Sequence, residues 1–370
     1  MYFAQKKSEM KKIVSLCICF IIIIINAQVT QDSDESEDFI NKLDSLGTID
    51  SSAKSQIQYN KGVASMKSKD YKKAIEYFSK AINYNIDFIE AYFNRGTCRF
   101  NEGILDLAKT DFTLVLGKDP TLHLAHYQLA QIYDKEGYID MALTSYSNAI
   151  NLDNSNPKYY YKRGVINFQI KEYEKAKFDF SSAIKLKNDY AYAYNDRGSS
   201  CLKLGDFEAA IQDFHKAVQY NPKLAFAYNN LGSAYRKLEK YDEAIKAYNQ
   251  ALKVDMKYYL AYNNRGMAKY DKKEFQSAID DFNKALKIKN DYSLAYNNKA
   301  SAFIGLEKWQ EAIDAANKAI DLNSEFTYAY YNRAIAKEML RDIDGACSDW
   351  NKASEYGLDI ARIYFNSTCK

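Results

Sequence analysis

Proline and glycine are scarce in this chain, three and fourteen among 370 residues. Both punctuate strands and turns, so their scarcity argues against a sandwich or barrel of short strands and for long stretches of helix. Histidine is scarcer relative to its uses, with three. His123 and His126 stand three apart, a spacing that can hold a metal on one helix face, but no Cys, Asp or Glu completes the set, and His215 is isolated. No Ser–His–Asp or Cys–His order, no phosphate-cradling glycine loop and no carboxylate pair stands out. The expectation is a protein that is not an enzyme, with no cofactor, no metal and no small-molecule substrate.

An excess of one charge is missing too. The chain carries 51 basic and 48 acidic residues, and residues 1–27 hold four lysines and one glutamate, which leaves 47 of each sign beyond them. A balanced chain has no electrostatic footprint for nucleic acid. Long apolar runs are absent except in the leader. There Lys6, Lys7, Lys11 and Lys12 precede Ile13 to Ile25, which is apolar but for Ser15, and Asn26-Ala27 then offers a small residue for cleavage before Gln28. That is the layout of a secretory signal peptide over 1–27. Thirteen residues are fewer than the roughly 20 that span a membrane. Uncleaved, the segment would be an anchor and the only membrane contact expected. Met10 would serve equally as the start, and Cys17 and Cys19 lack the small preceding residue that lipidation needs. QDSDESED at 31–38 has no apolar residue and reads as part of a solvated linker over 28–54, with Phe39, Ile40, Leu43 and Leu46 at helical spacing inside it.

What the chain has in abundance is repetition. Stepping by 34 from Gly266 meets Gly62, Gly96, Ala130, Gly164, Gly198, Gly232, Ala300 and Ala334. Twelve residues later alanine stands in all nine places, from Ala74 to Ala346. Sixteen residues after the first column comes an aromatic column, Phe78, Phe112, Tyr146, Phe180, Phe214, Tyr248, Phe282 and Trp350, broken once by Ala316. No insertion disturbs the count over 55–356. Each unit reads as two amphipathic helices, A and B, whose small residues allow close approach while the aromatic fills the space beside them.

This pattern resembles the tetratricopeptide repeat (TPR) family, in which the match covers about four-fifths of the chain. The resemblance implies an all-α, right-handed superhelical solenoid of nine 34-residue helix-turn-helix repeats, with the A helices lining a concave surface. Residues 357–370, with Leu358, Ile360, Ala361, Ile363 and Tyr364, then suggest a capping helix that keeps the open end soluble.

Two columns bear on function. The residue before the Gly/Ala column is arginine in five repeats, Arg95, Arg163, Arg197, Arg265 and Arg333, and sixteen residues after each stands Asp111, Asp179, Asp213, Asp281 or Asp349. The repeats without arginine have Tyr77, Ser145, Ala247 and Ala315 there instead. Arg and Asp occur together or not at all, which predicts a structural ion pair from helix A to helix B rather than an anion-binding stripe. The second column is amide-rich: Asn60, Asn94, Asn230, Asn264, Asn298 and Asn332, preceded in four repeats by Asn195, Asn229, Asn263 and Asn297, and interrupted by Lys162 and Asp196. In the TPR family such asparagines can line the groove as a ladder, since an amide pairs with both the N–H and the C=O of a bound peptide. On that resemblance Asn60, Asn94, Asn229, Asn230, Asn263, Asn264, Asn297, Asn298 and Asn332 are the candidate peptide-binding residues. The alternative is that they bond neighbouring helices. No lysine–asparagine set for a carboxylate clamp is present.

Cys98 and Cys201 read as packed small side chains in A helices. Cys347 and Cys369 are placed so that, in an exported chain, a disulfide would staple the last helix, the alternative being two free thiols. The expected function is a non-catalytic scaffold for a protein or peptide partner, exported to the envelope or beyond. The other reading is a structural subunit or adaptor that meets folded partners through its convex face or edges.

Overall fold

The computed structural model describes residues 50–369. The expected leader and the acidic run lie outside them. No strand occurs among the described residues, and no described helix is long and apolar enough to cross a membrane.

The chain divides after Glu136 into two units. The first contains α1 (Ser51–Lys67), α2 (Tyr71–Tyr84), α3 (Ile89–Asn101), α4 (Leu105–Lys118) and α5 (His123–Glu136). The second contains α6 (Ile139–Leu152), α7 (Pro157–Gln169), α8 (Tyr173–Leu186), α9 (Ala191–Leu204), α10 (Phe207–Tyr220), α11 (Ala225–Lys237), α12 (Tyr241–Val254), α13 (Tyr259–Asp271), α14 (Phe275–Ile288), α15 (Ser293–Gly305), α16 (Trp309–Leu322), α17 (Thr327–Met339), α18 (Ile343–Glu355) and α19 (Asp359–Thr368). Odd-numbered helices up to α17 are A helices and even-numbered ones are B helices. Within each unit an A helix packs on its own B helix, on the preceding B helix and on the neighbouring A helices.

The small-residue column explains the close hairpins. A Cβ added at Gly266 would lie 2.6 Å from the Phe282 ring, and one at Gly232 would lie 2.6 Å from the Tyr248 ring. Both rings are fully buried. In repeat 8 glycine becomes Ala300, and its facing residue shrinks to Ala316; Phe303 packs into the same cluster.

The A–B turns share a feature invisible in composition. Seven residues after the small-residue column, every described turn holds one residue at positive φ: Gly103, Gly137 and Gly205, but also Lys69, Lys171, Glu239, Lys273, Glu307 and Arg341 at φ between 58 and 67°. In the first turn Asp70 N donates to Ser65 O and Lys69 N to Met66 O. That is a Schellman closure, which demands a left-handed residue whatever its side chain.

The N-terminal boundary falls earlier than expected, because α1 begins at Ser51 rather than within repeat 1. The Asp50 carboxylate caps it by accepting from Ala53 N, and the hydroxyls of Ser51 and Ser55 donate to the carbonyls of Tyr84 and Ala81 at the end of α2. Residues 51–54 of the expected linker are thus helix. At the other end α19 packs through Ala361, Leu358 and Phe365, and Tyr364 stacks on Trp350 at 5.5 Å. Cys347 and Cys369 are joined by a disulfide with Cα atoms 5.7 Å apart. The exposed residues of α19 are mostly polar, Asp359, Arg362, Asn366, Ser367 and Thr368, with Ile360 and Ile363 among them, as suits a helix that closes the stack.

Candidate binding face

The arginine column is a half-buried three-way clamp. Arg265 Nε and Nη2 donate to Asp281 Oδ2 and Oδ1 at 2.8 and 2.5 Å, and Nη1 donates to Asn249 Oδ1 at 2.5 Å. One guanidinium therefore ties helix A to its own B helix and to the B helix before it. The same fork joins Arg95 to Asp111, Arg163 to Asp179, Arg197 to Asp213 and Arg333 to Asp349. The third bond goes to Ser79, Ser147, Ser181 and Asn317 respectively. Four of the arginines also lie over a tyrosine one turn earlier, Tyr92, Tyr194, Tyr262 or Tyr330. The aspartates are almost wholly buried and take a further donor four residues beyond the arginine: Arg99, Asn167, Lys269 or Lys337. Repeat 5 has Cys201 there, and burial raises its thiol pKa. The third partner was legible as Ser or Asn sixteen residues before each arginine.

The asparagines occupy the seams between successive A helices. Asn230 Nδ2 donates to Asn195 Oδ1 at 3.1 Å, Asn264 to Asn229 at 3.0 Å, Asn298 to Asn263 at 2.9 Å and Asn332 to Asn297 at 2.9 Å. Tyrosine takes the place of the first amide elsewhere, with either polarity: Asn94 Nδ2 donates to Tyr59 Oη, whereas Tyr161 Oη donates to Asp196 Oδ2 at 2.8 Å. Asn60 sits near the start of the series, where its Oδ1 accepts from Gln56. Asn195, Asn229, Asn263, Asn297, Asn298 and Asn332 are buried. The expectation of a peptide-facing ladder is therefore corrected for the buried amides Asn229, Asn263, Asn297, Asn298 and Asn332. A buried amide must be paired, and the neighbouring A helix is the partner within reach. The alternative reading, bonding between helices, describes what they do. Every such pair is 35 residues apart, so the correlation could be found by asking what stands at one position when asparagine stands at the next position one repeat on.

With the amides engaged in the seams, the solvent face of the A helices belongs to a position three to four residues earlier, which shares a helix face with them. In repeats 5 to 9 it holds Tyr192, Phe226, Leu260, Leu294 and Tyr328; in repeats 1 to 4, Gln56, Glu90, Leu124 and Lys158. Tyr192, Leu294 and Tyr328 are 46, 40 and 57% exposed, and the Tyr192 and Phe226 rings are 6.1 Å apart. All five lie in the second unit. The sequence reading missed this stripe because the eye followed the amides beside it.

Of the remaining candidates, His126 contacts the carbonyl of Pro120 and His215 the hydroxyl of Tyr235. No metal-ligating cluster occurs among the described residues. Cys98 and Cys201 are buried thiols, and burial pushes Cys98 up to about 12.

Profiles of the tetratricopeptide repeat match residues 55–88, 157–190, 189–257, 229–293 and 297–359, and a TPR repeat profile matches 130–171. No curated protein matches the chain. Among solved structures, a tetratricopeptide repeat protein from Parabacteroides merdae is similar with 18% identity and a TM-score of 0.56, over 67% of this chain and 99% of that one. A chain of the Cut9–Hcn1 hetero-tetramer of the APC/C is similar with 14% identity and a TM-score of 0.55, over 91% of this chain and 81% of that one. The C-terminal part of a TPR repeat-containing protein from Cytophaga hutchinsonii has 20% identity and a TM-score of 0.50, over 62% and 95%. At these identities the likeness concerns the fold.

Proposed function

The chain belongs to the tetratricopeptide repeat family, and on that premise we propose that it is a non-catalytic scaffold that holds an extended segment of a partner protein along the A helices of repeats 5 to 9. The observation that carries the reading is the apolar stripe: five consecutive A helices put Tyr192, Phe226, Leu260, Leu294 and Tyr328 at one position, 34 residues apart. Packed helices lie about 8–10 Å apart. A polyproline-II segment rises about 3.1 Å per residue with three residues per turn, so every third side chain meets the next helix. The occupant is therefore an extended segment with apolar residues at every third position.

The test is selection of displayed 12-residue peptides on residues 28–370. Apolar enrichment at every third position is expected. Replacing the exposed Tyr192, Leu294 and Tyr328 together by serine should abolish capture without lowering the melting temperature. Equal capture by that variant would refute the assignment.

We further propose export. The leader motif supports it, as does the Cys347–Cys369 disulfide, which suits an oxidising compartment. Mass spectrometry of the native protein should find Gln28 at the N-terminus and a mass lower by two hydrogens before reduction; an intact leader with free thiols would refute export.

A further inference from the structure

Where the amide ladder stops, a carboxylate faces a cavity. Seam 4/5 pairs Tyr161 with Asp196 instead of one amide with another. Asp196 Oδ2 accepts from Tyr161 Oη, and Oδ1 accepts from Asn195 Nδ2, each at 2.8 Å. No cation among the described residues forms an ion pair with Asp196. Beside it lies a cavity of about 230 Å³ lined by Val165, Phe168, Gln169, Phe180, Asp196 and Ser199. Its walls are thus two aromatic rings and an aliphatic side chain, with one carboxylate, an amide and a hydroxyl. Tyr192, the first residue of the apolar stripe, is one helical turn from Asp196 on the same face.

We propose that this cavity is a subsite for a basic side chain, a lysine or arginine of the bound segment. The aliphatic stem would lie against Val165 and the rings, and the cation would reach Asp196. Two physical reasons favour such an occupant. A half-buried carboxylate bonded only to neutral donors lacks the opposite charge that offsets its desolvation. Aromatic faces attract a cation electrostatically and shelter its methylene stem. Burial raises the Asp196 pKa, and a bound cation would lower it again. The subsite rests on the proposed groove reading only for the identity of the segment that delivers the cation; the cavity can be probed without any peptide.

The probe is Nα-acetyl-lysine amide, titrated into residues 28–370 and followed by the methyl resonances of Val165. The control ligand is Nα-acetyl-norleucine amide, which has a similar aliphatic stem and no charge. The expected result is a saturable shift with the lysine derivative, at least tenfold weaker with norleucine and at least tenfold weaker in Asp196→Asn. That variant should fold, because seam 1/2 already pairs a tyrosine with an asparagine, Tyr59 with Asn94. No response in the wild type, or an equal response to norleucine, would overturn the subsite. The groove is judged separately by the peptide selection. Apolar enrichment without a basic residue at one fixed position would overturn the subsite and leave the groove standing. Loss of apolar enrichment with a retained lysine response would do the reverse.

Discussion

Consider removing one guanidinium, Arg265→Ala. The variant deletes two bonds to Asp281, one to Asn249, and a stack over Tyr262 with the guanidinium 5.4 Å from the ring centroid. It leaves Asp281, which has no exposed surface, with a single cation, Lys269 at 2.8 Å. Stranding a buried charge costs about 3–5 kcal/mol, and the remaining lysine argues for the lower end, about 3 kcal/mol. In a repeat protein that loss is local, because each repeat touches only its neighbours. Amide hydrogen exchange is therefore the right assay. At about 1.4 kcal/mol per factor of ten, exchange in α12, α13 and α14 should accelerate roughly a hundredfold, with far smaller change in α7 and α8. The decisive comparison is Arg265→Ala/Asp281→Ala, which removes both charges. It should cost less than Arg265→Ala alone, about 1–2 kcal/mol, because no buried carboxylate is left stranded. If Arg265→Ala cost no more than about 0.5 kcal/mol, or if the double variant were the less stable of the two, the clamp would not be the structural device described.

The ladder predicts that Asn263→Ala, which strips the acceptor from Asn298, lowers stability by about 1–3 kcal/mol in chemical denaturation; a neutral result would show that the seam tolerates an unpaired amide. Six non-glycine residues at positive φ predict that Lys273→Gly and Glu307→Gly each stabilise by about 0.5–1 kcal/mol, read as a rise in melting temperature, and a fall would contradict the strain argument. The disulfide closes a loop over a sequence separation of 22 residues, for which chain entropy gives about 3 kcal/mol. Reduction should therefore unpin α19, uncover Trp350 and shift its fluorescence to the red; unchanged emission would show that Tyr364 and Phe365 hold the helix unaided. Asp196 has a raised folded-state pKa, so its burial favours the protonated form and the folded chain loses stability as pH rises from the ordinary value of 3.8 through the raised one. Asp196→Asn should thus melt higher than the wild type at neutral pH, with the difference closing below that ordinary value, and a constant difference across pH would refute the linkage.

The helices and their pairing were legible because each rests on a column: small residue against aromatic, arginine against aspartate. Those correlations sit inside one repeat, at fixed offsets, and reflect side chains that must fit or neutralise one another. The seams were harder to read. Asn230 finds its partner not in its own repeat but at Asn195, and a column of asparagines looks the same whether it faces a ligand or a neighbour. The left-handed turns were legible only where glycine marks them, at Gly103, Gly137 and Gly205. Lys273 and Glu307 adopt that conformation because the helix closure requires it, not because their side chains prefer it. The apolar stripe was written in plain view, but only the burial pattern separates an exposed Tyr328 from the many tyrosines that fill the packing.

The seam bonds have a direction. In repeats 6 to 8 each repeat offers a carbonyl oxygen to its successor and an amide nitrogen to its predecessor, so these modules join as plug and socket do. A gene copying error that duplicated repeat 7 whole would insert a segment whose two ends both find their complements, with no orphaned amide at either junction. The same chemistry that locks neighbours together therefore leaves the length of the array free to change by whole modules, while penalising an insertion of any other size.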